Sequence, residues 1–153
     1  MGPDSSPTPT DREIVSVRVC SHSRERLFAA WTDPGALARW WGPRGFTNTF
    51  ETFEPRPRGE WRFVMHGPDG TDYPNHSVFI EIVPPERIVL EHLSGPRFRV
   101  TATFEEEGDG TRLTFRMRFD TPKACARVRR IAVEANEQNF DRLEAELSRS
   151  DGS

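Results

Sequence analysis

Hydrophobic residues in the first part of the chain recur at two different spacings. Residues 13–19 (EIVSVRV) alternate, although not strictly, and predict a first strand. Residues 24–32 then carry apolar side chains three and four positions apart, and Ser23 can cap the helix that this spacing predicts. Asp33 and Pro34 provide the cap and the first residue of a second short helix, which should end at the next Gly-Pro pair. The chain is therefore expected to begin with one strand and two short helices.

From Phe46 onward the hydrophobic period changes to two, which is typical of antiparallel strands. About six strands are predicted before residue 122, separated by turn sequences such as PRPRG, GPDGTD and GDG. The last hairpin alternates most regularly, so its sheet should have one buried face and one solvated face rich in arginine and threonine. The predicted buried face of this hairpin consists of Phe98, Val100, Ala102, Phe104, Leu113, Phe115, Met117 and Phe119.

A long amphipathic helix is predicted to begin at Pro122, with an apolar stripe that extends from Val128 to Leu147. A curved sheet with one apolar face and a single long helix can bury both surfaces when the sheet wraps around the helix. A void between them would suit a small molecule. We therefore predict an α+β fold with one domain over residues 12–149, a disordered lead-in over 1–11 and a tail over 150–153.

Composition excludes several classes of protein. The 153 residues have a formal net charge of −3 and no long basic run, so a nucleic-acid partner is not expected. No apolar run approaches the length of a membrane span, and the N-terminus lacks the apolar segment of a signal peptide. We therefore expect a cytoplasmic protein without membrane insertion. Cys20 and Cys125 are far apart in sequence and are expected to be reduced thiols.

Four segments of the sequence together resemble a known family. They read AWTDPGALARWWGPRGF, RPRGEWRFVMHGPDGTDYPN, EIVPPERIVLEH and FDRLEAEL. In this order they resemble a bacterial branch of the START-like (SRPBCC) superfamily, similar to the C-terminal domain of the activator of the ninety-kilodalton heat-shock protein ATPase. The resemblance extends from about Ile14 to Leu147. It implies the helix-grip (START-like, birch-pollen-allergen-like) fold, a curved antiparallel sheet around a long C-terminal helix, with a cavity between them.

Relatives in this superfamily include carriers of lipids and other hydrophobic ligands, polyketide cyclases and uncharacterised bacterial proteins. The fold alone therefore does not determine the activity. The eukaryotic activator also relies on a separate N-terminal domain, for which this chain has no room, so the sequence argues against a chaperone partner. Many relatives carry Gly-Trp where this chain has Ala135-Asn136. Without that indole the cavity should be larger, with an amide on its wall.

With this fold, the strand pattern places several side chains against the predicted cavity. Glu81 and Glu91 should face water, which turns His76 and Val78 inward with His92. Two imidazoles on an apolar wall could orient a ligand or act as acid and base, or each could simply hydrogen-bond a neighbour, or a bulge could turn one outward. The predicted ligand-binding residues are Trp41, Trp61, Phe63, Met65, His76, Val78, His92, Phe98, Val100, Phe115, Met117, Asn136, Asn139 and Phe140.

Three hypotheses of function follow from these residues. The first is binding of a small, largely hydrophobic ligand between the sheet and the last helix. The second is a cyclase- or hydrolase-like enzyme that uses His76 or His92 as a general base. The third is a chaperone-associated interaction module. The sequence contains no nucleophile elbow, phosphate loop, dinucleotide fingerprint or CxxC motif, and predicts no metal site and no cofactor. It leaves enzymatic activity and a homodimer open.

Overall fold

A single antiparallel sheet forms most of the described molecule. The computed structural model describes residues 10–94 and 97–151, so most of the predicted lead-in and the last two residues of the predicted tail lie outside it. The elements in chain order are β1 (Glu13–Cys20), α1 (Arg24–Thr32), α2 (Pro34–Trp40), β2 (Thr47–Phe53), β3 (Glu60–His66), β4 (Asp72–Val83), β5 (Arg87–His92), β6 (Phe98–Glu107), β7 (Gly110–Phe119) and α3 (Pro122–Asp151).

The two short helices begin directly after their predicted capping residues, Ser23 and Asp33. The Ser23 hydroxyl accepts a hydrogen bond from the Arg26 amide at 3.3 Å, and the Asp33 carboxylate accepts one from the Ala36 amide at 3.0 Å. Trp31 and Trp40 pack these helices onto the sheet, and both are almost fully buried. The Trp40 indole also donates to the Ala30 carbonyl at 3.0 Å. This end of the molecule is therefore held by aromatic packing and by local capping.

The seven strands lie in the order β1-β7-β6-β5-β4-β3-β2, and every neighbouring pair is antiparallel. The regular alternation predicted for the last hairpin is confirmed, because Val100, Ala102, Phe104, Leu113, Phe115, Met117 and Phe119 are buried. The helix α3 lies on this apolar face and packs mainly against β1 and α2, with further contacts to α1 and β7. The curved sheet and the long C-terminal helix together form the helix-grip arrangement.

The strand β4 departs from the predicted alternation. Phe79 pairs with Leu90, but the next pair joins Glu81 to Val89, so Ile80 is the extra residue of a β-bulge. One extra residue reverses which face the preceding side chains occupy. The prediction that His76 and Val78 face inward is therefore wrong. Their neighbours on the strand, Ser77 and Phe79, are the buried residues, at 2% and 3% exposure.

Candidate ligand-binding site

A cavity of about 170 Å³ lies between the concave face of the sheet and α3. The strands β3 to β7 supply its floor, α3 supplies one wall, and the loop that follows α2 closes one end. Most of the lining is aromatic or aliphatic. The lining residues are Trp41, Gly42, Pro43, Trp61, Phe63, Met65, Asn75, Ser77, Leu90, His92, Phe98, Val100, Phe115, Met117, Ala135, Asn136 and Asn139.

Aromatic rings in mutual contact form the apolar part of this lining. Trp61 stacks on Phe63 with ring centroids 4.4 Å apart, and meets Trp41 edge-to-face at 5.1 Å. Trp41 in turn contacts Trp31 and Trp40, which lie behind it in the core. Because each ring is fixed by its neighbours, this wall has little freedom to collapse into the cavity.

Two asparagines on α3 bring amide groups to the opposite wall. Asn136 and Asn139 are each only 8% exposed. The Asn136 side chain donates from Nδ2 to the Ser16 hydroxyl at 3.1 Å and to the Met117 sulfur at 3.7 Å. The Asn139 Oδ1 accepts from the Gly42 amide at 3.1 Å, which fixes the orientation of that side chain. Each asparagine thus satisfies one end of its amide within the protein.

His92 reaches the cavity from the end of β5. Its ring stacks on Phe98 with centroids 4.5 Å apart. The Asn75 amide donates from Nδ2 to the Tyr73 carbonyl, so its Oδ1 is the atom that lies 2.8 Å from His92 Nε2. Because an amide oxygen only accepts, Nε2 carries the proton and donates it to Asn75. This geometry orients the ring and makes Nε2 a hydrogen-bond donor rather than a general base.

One arginine holds the loop at the closed end of the cavity. The half-buried Arg142 guanidinium donates to the carbonyls of Trp41, Gly42 and Pro43 from Nη1, at 2.8–3.2 Å. Its Nη2 donates to the carbonyls of Arg39 and Phe46 at 2.8 and 3.0 Å. Burial lowers the pKa of this guanidinium, which nevertheless stays protonated. Arg142 therefore links α3 to the whole turn between α2 and β2.

Most of the sequence-predicted site residues lie on this cavity. Phe140 does not, since it is 2% exposed and packs against Phe115 with centroids 6.3 Å apart, one helix position beyond Asn139. His76 lies on the other face of the sheet, with Nε2 3.4 Å from the Glu60 carboxylate, and Val78 shares that face. The predicted residues that do line the cavity are Trp41, Trp61, Phe63, Met65, His92, Phe98, Val100, Phe115, Met117, Asn136 and Asn139.

Six lining residues are absent from the predicted ligand-binding set: Gly42, Pro43, Asn75, Ser77, Leu90 and Ala135. Gly42 and Pro43 belong to a turn, where no hydrophobic period exists to assign a face. Asn75 and Ser77 lie before the bulge in β4, where the sequence analysis turned His76 and Val78 inward instead. The hydrophobic period does not mark this change of face, because Val78, Phe79 and Ile80 are three consecutive apolar residues.

A wider groove continues outward from the cavity. It has a volume of about 500 Å³ and shares Pro43, Met65, Asn75 and His92 with the cavity lining. Its remaining residues include the exposed side chains of Tyr73 and Ile131. The cavity is therefore reached from the side where β4 begins and α3 passes over it.

A hydrogen-bonded group of three side chains, Thr49, His66 and Asp72, lies on the outer face of the sheet. Thr49 Oγ1 is 2.7 Å from His66 Nε2, and His66 Nδ1 is 2.8 Å from the Asp72 carboxylate.

Within residues 10–94 and 97–151, no group of three or more His, Cys, Asp or Glu side chains could hold a metal ion. No helix in these ranges combines the length and the hydropathy that a membrane crossing requires.

Comparison with protein families identifies the group to which this chain is related. The model of the activator of Hsp90 ATPase homolog 1-like proteins matches residues 21–148, which include every residue that lines the cavity. This chain belongs to that family. No curated protein matches the chain.

Several bacterial proteins of known structure have the same fold. A protein from Nitrosomonas europaea superposes with a TM-score of 0.86 at 19% identity, over 95% of this chain and 99% of the other. A protein from Rhodobacter sphaeroides has a TM-score of 0.84 at 27% identity, over 93% and 95% of the two chains. The AHSA1 protein from Silicibacter pomeroyi has a TM-score of 0.74 at 22% identity, over 90% and 99%.

Proposed function

We propose that this AHSA1-family protein binds a small, largely hydrophobic molecule in the cavity between the sheet and α3. The observation that carries the proposal is the lining, in which fixed aromatic rings surround a few polar groups. Burial of apolar ligand surface supplies affinity, and the polar groups orient the molecule. The helix-grip fold, which commonly holds hydrophobic ligands, supports the same function.

The Nε2 atom of His92 is not available as a general base at this site. A general base needs a free lone pair within reach of the proton that it abstracts. Nε2 of His92 instead donates to Asn75 Oδ1 at 2.8 Å. His76, the other predicted base, lies on the outer face beside Glu60. The two histidines of the enzymatic hypothesis are thus separated by the sheet.

Native mass spectrometry of the protein purified from its own host tests this proposal. We expect a bound mass that is released only on denaturation. Ala135 lines the cavity, so Ala135→Met should fill part of it and reduce the bound fraction at least about tenfold. Ala126→Met, on the exposed side of α3, is the matched control and should retain the ligand.

Two results would contradict ligand binding at this site. One is a bound mass that Ala135→Met and Ala126→Met leave equally unchanged, which would place the ligand elsewhere. The other is a wild-type protein that carries no bound mass and binds nothing from a panel of lipids and small hydrophobic metabolites. The second result would favour the interaction-module hypothesis.

A further inference from the structure

The dimensions of the cavity restrict the size of its ligand. Drug-sized pockets have volumes of roughly 300–1,000 Å³, whereas an engineered protein cavity of about 150 Å³ binds benzene. At about 170 Å³ the cavity of this protein matches the second case. One six-membered ring with a small substituent fits, and a larger molecule would have to extend into the outer groove. Aromatic side chains such as Trp61, Phe63 and Phe115 suit the faces and edges of such a ring.

The charge of the lining restricts the ligand further. None of the described residues that line the cavity is Asp, Glu, Lys or Arg. An ionised group placed there would lose its hydration without gaining an ion pair, which is strongly unfavourable. The ligand that fits this cavity is therefore uncharged.

Three buried polar groups at the cavity have hydrogen-bonding capacity left over. Ser77 is 2% exposed, and its hydroxyl makes no hydrogen bond within residues 10–94 and 97–151. In the same ranges, Asn136 Oδ1 accepts no hydrogen bond and Asn139 Nδ2 donates none, because each amide is held by its other atom. None of the three atoms is among the fully enclosed unpaired atoms of the described residues, so each faces the cavity, where a polar group of the ligand can pair with it.

The three groups offer both donors and acceptors. The Asn139 amino group only donates, the Asn136 oxygen only accepts, and the Ser77 hydroxyl does both. A hydroxyl group on the ligand can satisfy one donor and one acceptor at once. A purely hydrocarbon ligand would leave all three groups unpaired, which is the situation that proteins discriminate against most strongly.

We infer that the cavity selects a neutral, single-ring molecule that carries a hydroxyl group, of the size and chemistry of a phenol. This inference rests on the proposed function, since it names the ligand class of the same site. The ring lies among the aromatic side chains, and its hydroxyl group pairs with one donor and one acceptor among Ser77, Asn136 and Asn139. The outer groove, lined by Tyr73 and Ile131, accommodates any further apolar substituent.

Three one-ring probes separate these requirements in solution. Phenol and toluene have the same number of non-hydrogen atoms and differ in the hydroxyl group, whereas benzoate adds a negative charge at neutral pH. We expect phenol to bind the full-length protein at least about tenfold more tightly than toluene, and benzoate to bind least, in NMR titrations of backbone amide shifts. The shifts should map to residues that line the cavity.

Two variants test the assignment of the hydroxyl partner. Ser77→Ala removes the hydroxyl group without adding bulk, and Asn136→Leu removes the amide oxygen. Each should reduce the preference for phenol over toluene by about tenfold or more. Thr101→Val removes a hydroxyl group from the outer face of the same sheet and should leave the preference unchanged. If Asn136→Leu fails to fold, because it also loses the bond to Ser16, Ser77→Ala alone decides.

The outcomes distinguish this inference from the proposed function. Toluene or benzoate binding as tightly as phenol, or a preference that Ser77→Ala leaves intact, would overturn the ligand class while ligand binding in the cavity stands. The same conclusion follows if phenol does not bind but protein from the host carries a cavity-bound mass that Ala135→Met displaces. Failure of all probes, together with no host-derived mass, would overturn both.

Discussion

At the scale of single residues, the surroundings of a charged group determine how much it contributes to stability. Glu146 and Glu81 each receive two-pronged hydrogen bonds from an arginine, Arg39 and Arg87 respectively. The Glu146 side chain is 6% exposed, whereas that of Glu81 is 44% exposed. The hydrogen bond from Arg39, with a second from Arg149 at 2.7 Å, lowers the pKa of the Glu146 carboxyl despite its burial. Water screens the pair at Glu81 far more strongly.

Glu146→Gln should therefore destabilise the protein by about 2 kcal/mol at pH 7, since it weakens a charged, buried set of hydrogen bonds. Because the folded-state pKa of Glu146 lies below its unfolded value, this stabilisation is present above the unfolded pKa and is lost as pH falls through the folded pKa. The difference between variant and wild type should accordingly shrink in acid. Chemical denaturation at several pH values measures it. Glu81→Gln is the exposed control, and an equal loss from both variants would contradict the argument.

At the scale of secondary-structure elements, regular alternation was sufficient to predict most strands but not the faces of β4. In β7, every second residue from Leu113 to Phe119 is buried, as the pattern predicted. In β4 the bulge at Ile80 shifts the register, and a bulge is a property of the backbone pairing that leaves no mark in hydrophobic period. The sequence analysis therefore placed His76 on the buried face, which Ser77 occupies in the structure. Phe140 was misplaced for a related reason, because one helix position separates the cavity wall from the core behind it.

The loop between α2 and β2 is the element that depends most on a single distant side chain. Five carbonyls of this loop and its flanks accept hydrogen bonds from Arg142. A guanidinium offers five donors in a planar fork, whereas an ammonium offers three from one point. Because Trp41, Gly42 and Pro43 close the cavity, the order of the loop also determines the shape of the candidate site.

Arg142→Lys should thus loosen this loop selectively. We expect a loss of about 2 kcal/mol in the free energy of unfolding, since charged hydrogen bonds are lost. Amide exchange over residues 41–46 should become faster while exchange in β6 and β7 stays slow. Hydrogen-exchange mass spectrometry measures both regions in one experiment, with Arg130→Lys on the exposed side of α3 as the control. Uniformly faster exchange would show a general loss of stability instead.

At the scale of the whole molecule, the overall packing was predictable because few arrangements bury a one-sided sheet and one amphipathic helix together. The size of the cavity was not, because it depends on how far the rings of Trp41, Trp61 and Phe63 extend and on the exact path of α3. Side-chain rotamers and backbone positions set these quantities. Sequence pattern contains no information at that resolution, and family resemblance supplied only the place of the cavity.

Ligand binding should stabilise the entire domain, since a ligand held between the sheet and α3 binds only the folded protein. Phenol at about 100 times its dissociation constant should add about 2.7 kcal/mol to the free energy of unfolding. For a chain of this length the Tm should rise by roughly 5–10 °C. Differential scanning calorimetry with and without phenol measures the shift. Ala135→Met should show a much smaller shift than Ala126→Met, and equal shifts would indicate binding outside the cavity.

All four tryptophans of the chain belong to one contact chain at this end of the molecule. Trp31, Trp40, Trp41 and Trp61 follow one another with ring centroids 5.1–5.6 Å apart. All tryptophan fluorescence of the protein therefore comes from this one group of rings beside the cavity. A melt followed by tryptophan fluorescence reports this end of the molecule, and its agreement with an infrared melt of the sheet becomes a direct test of whether the domain unfolds in one step.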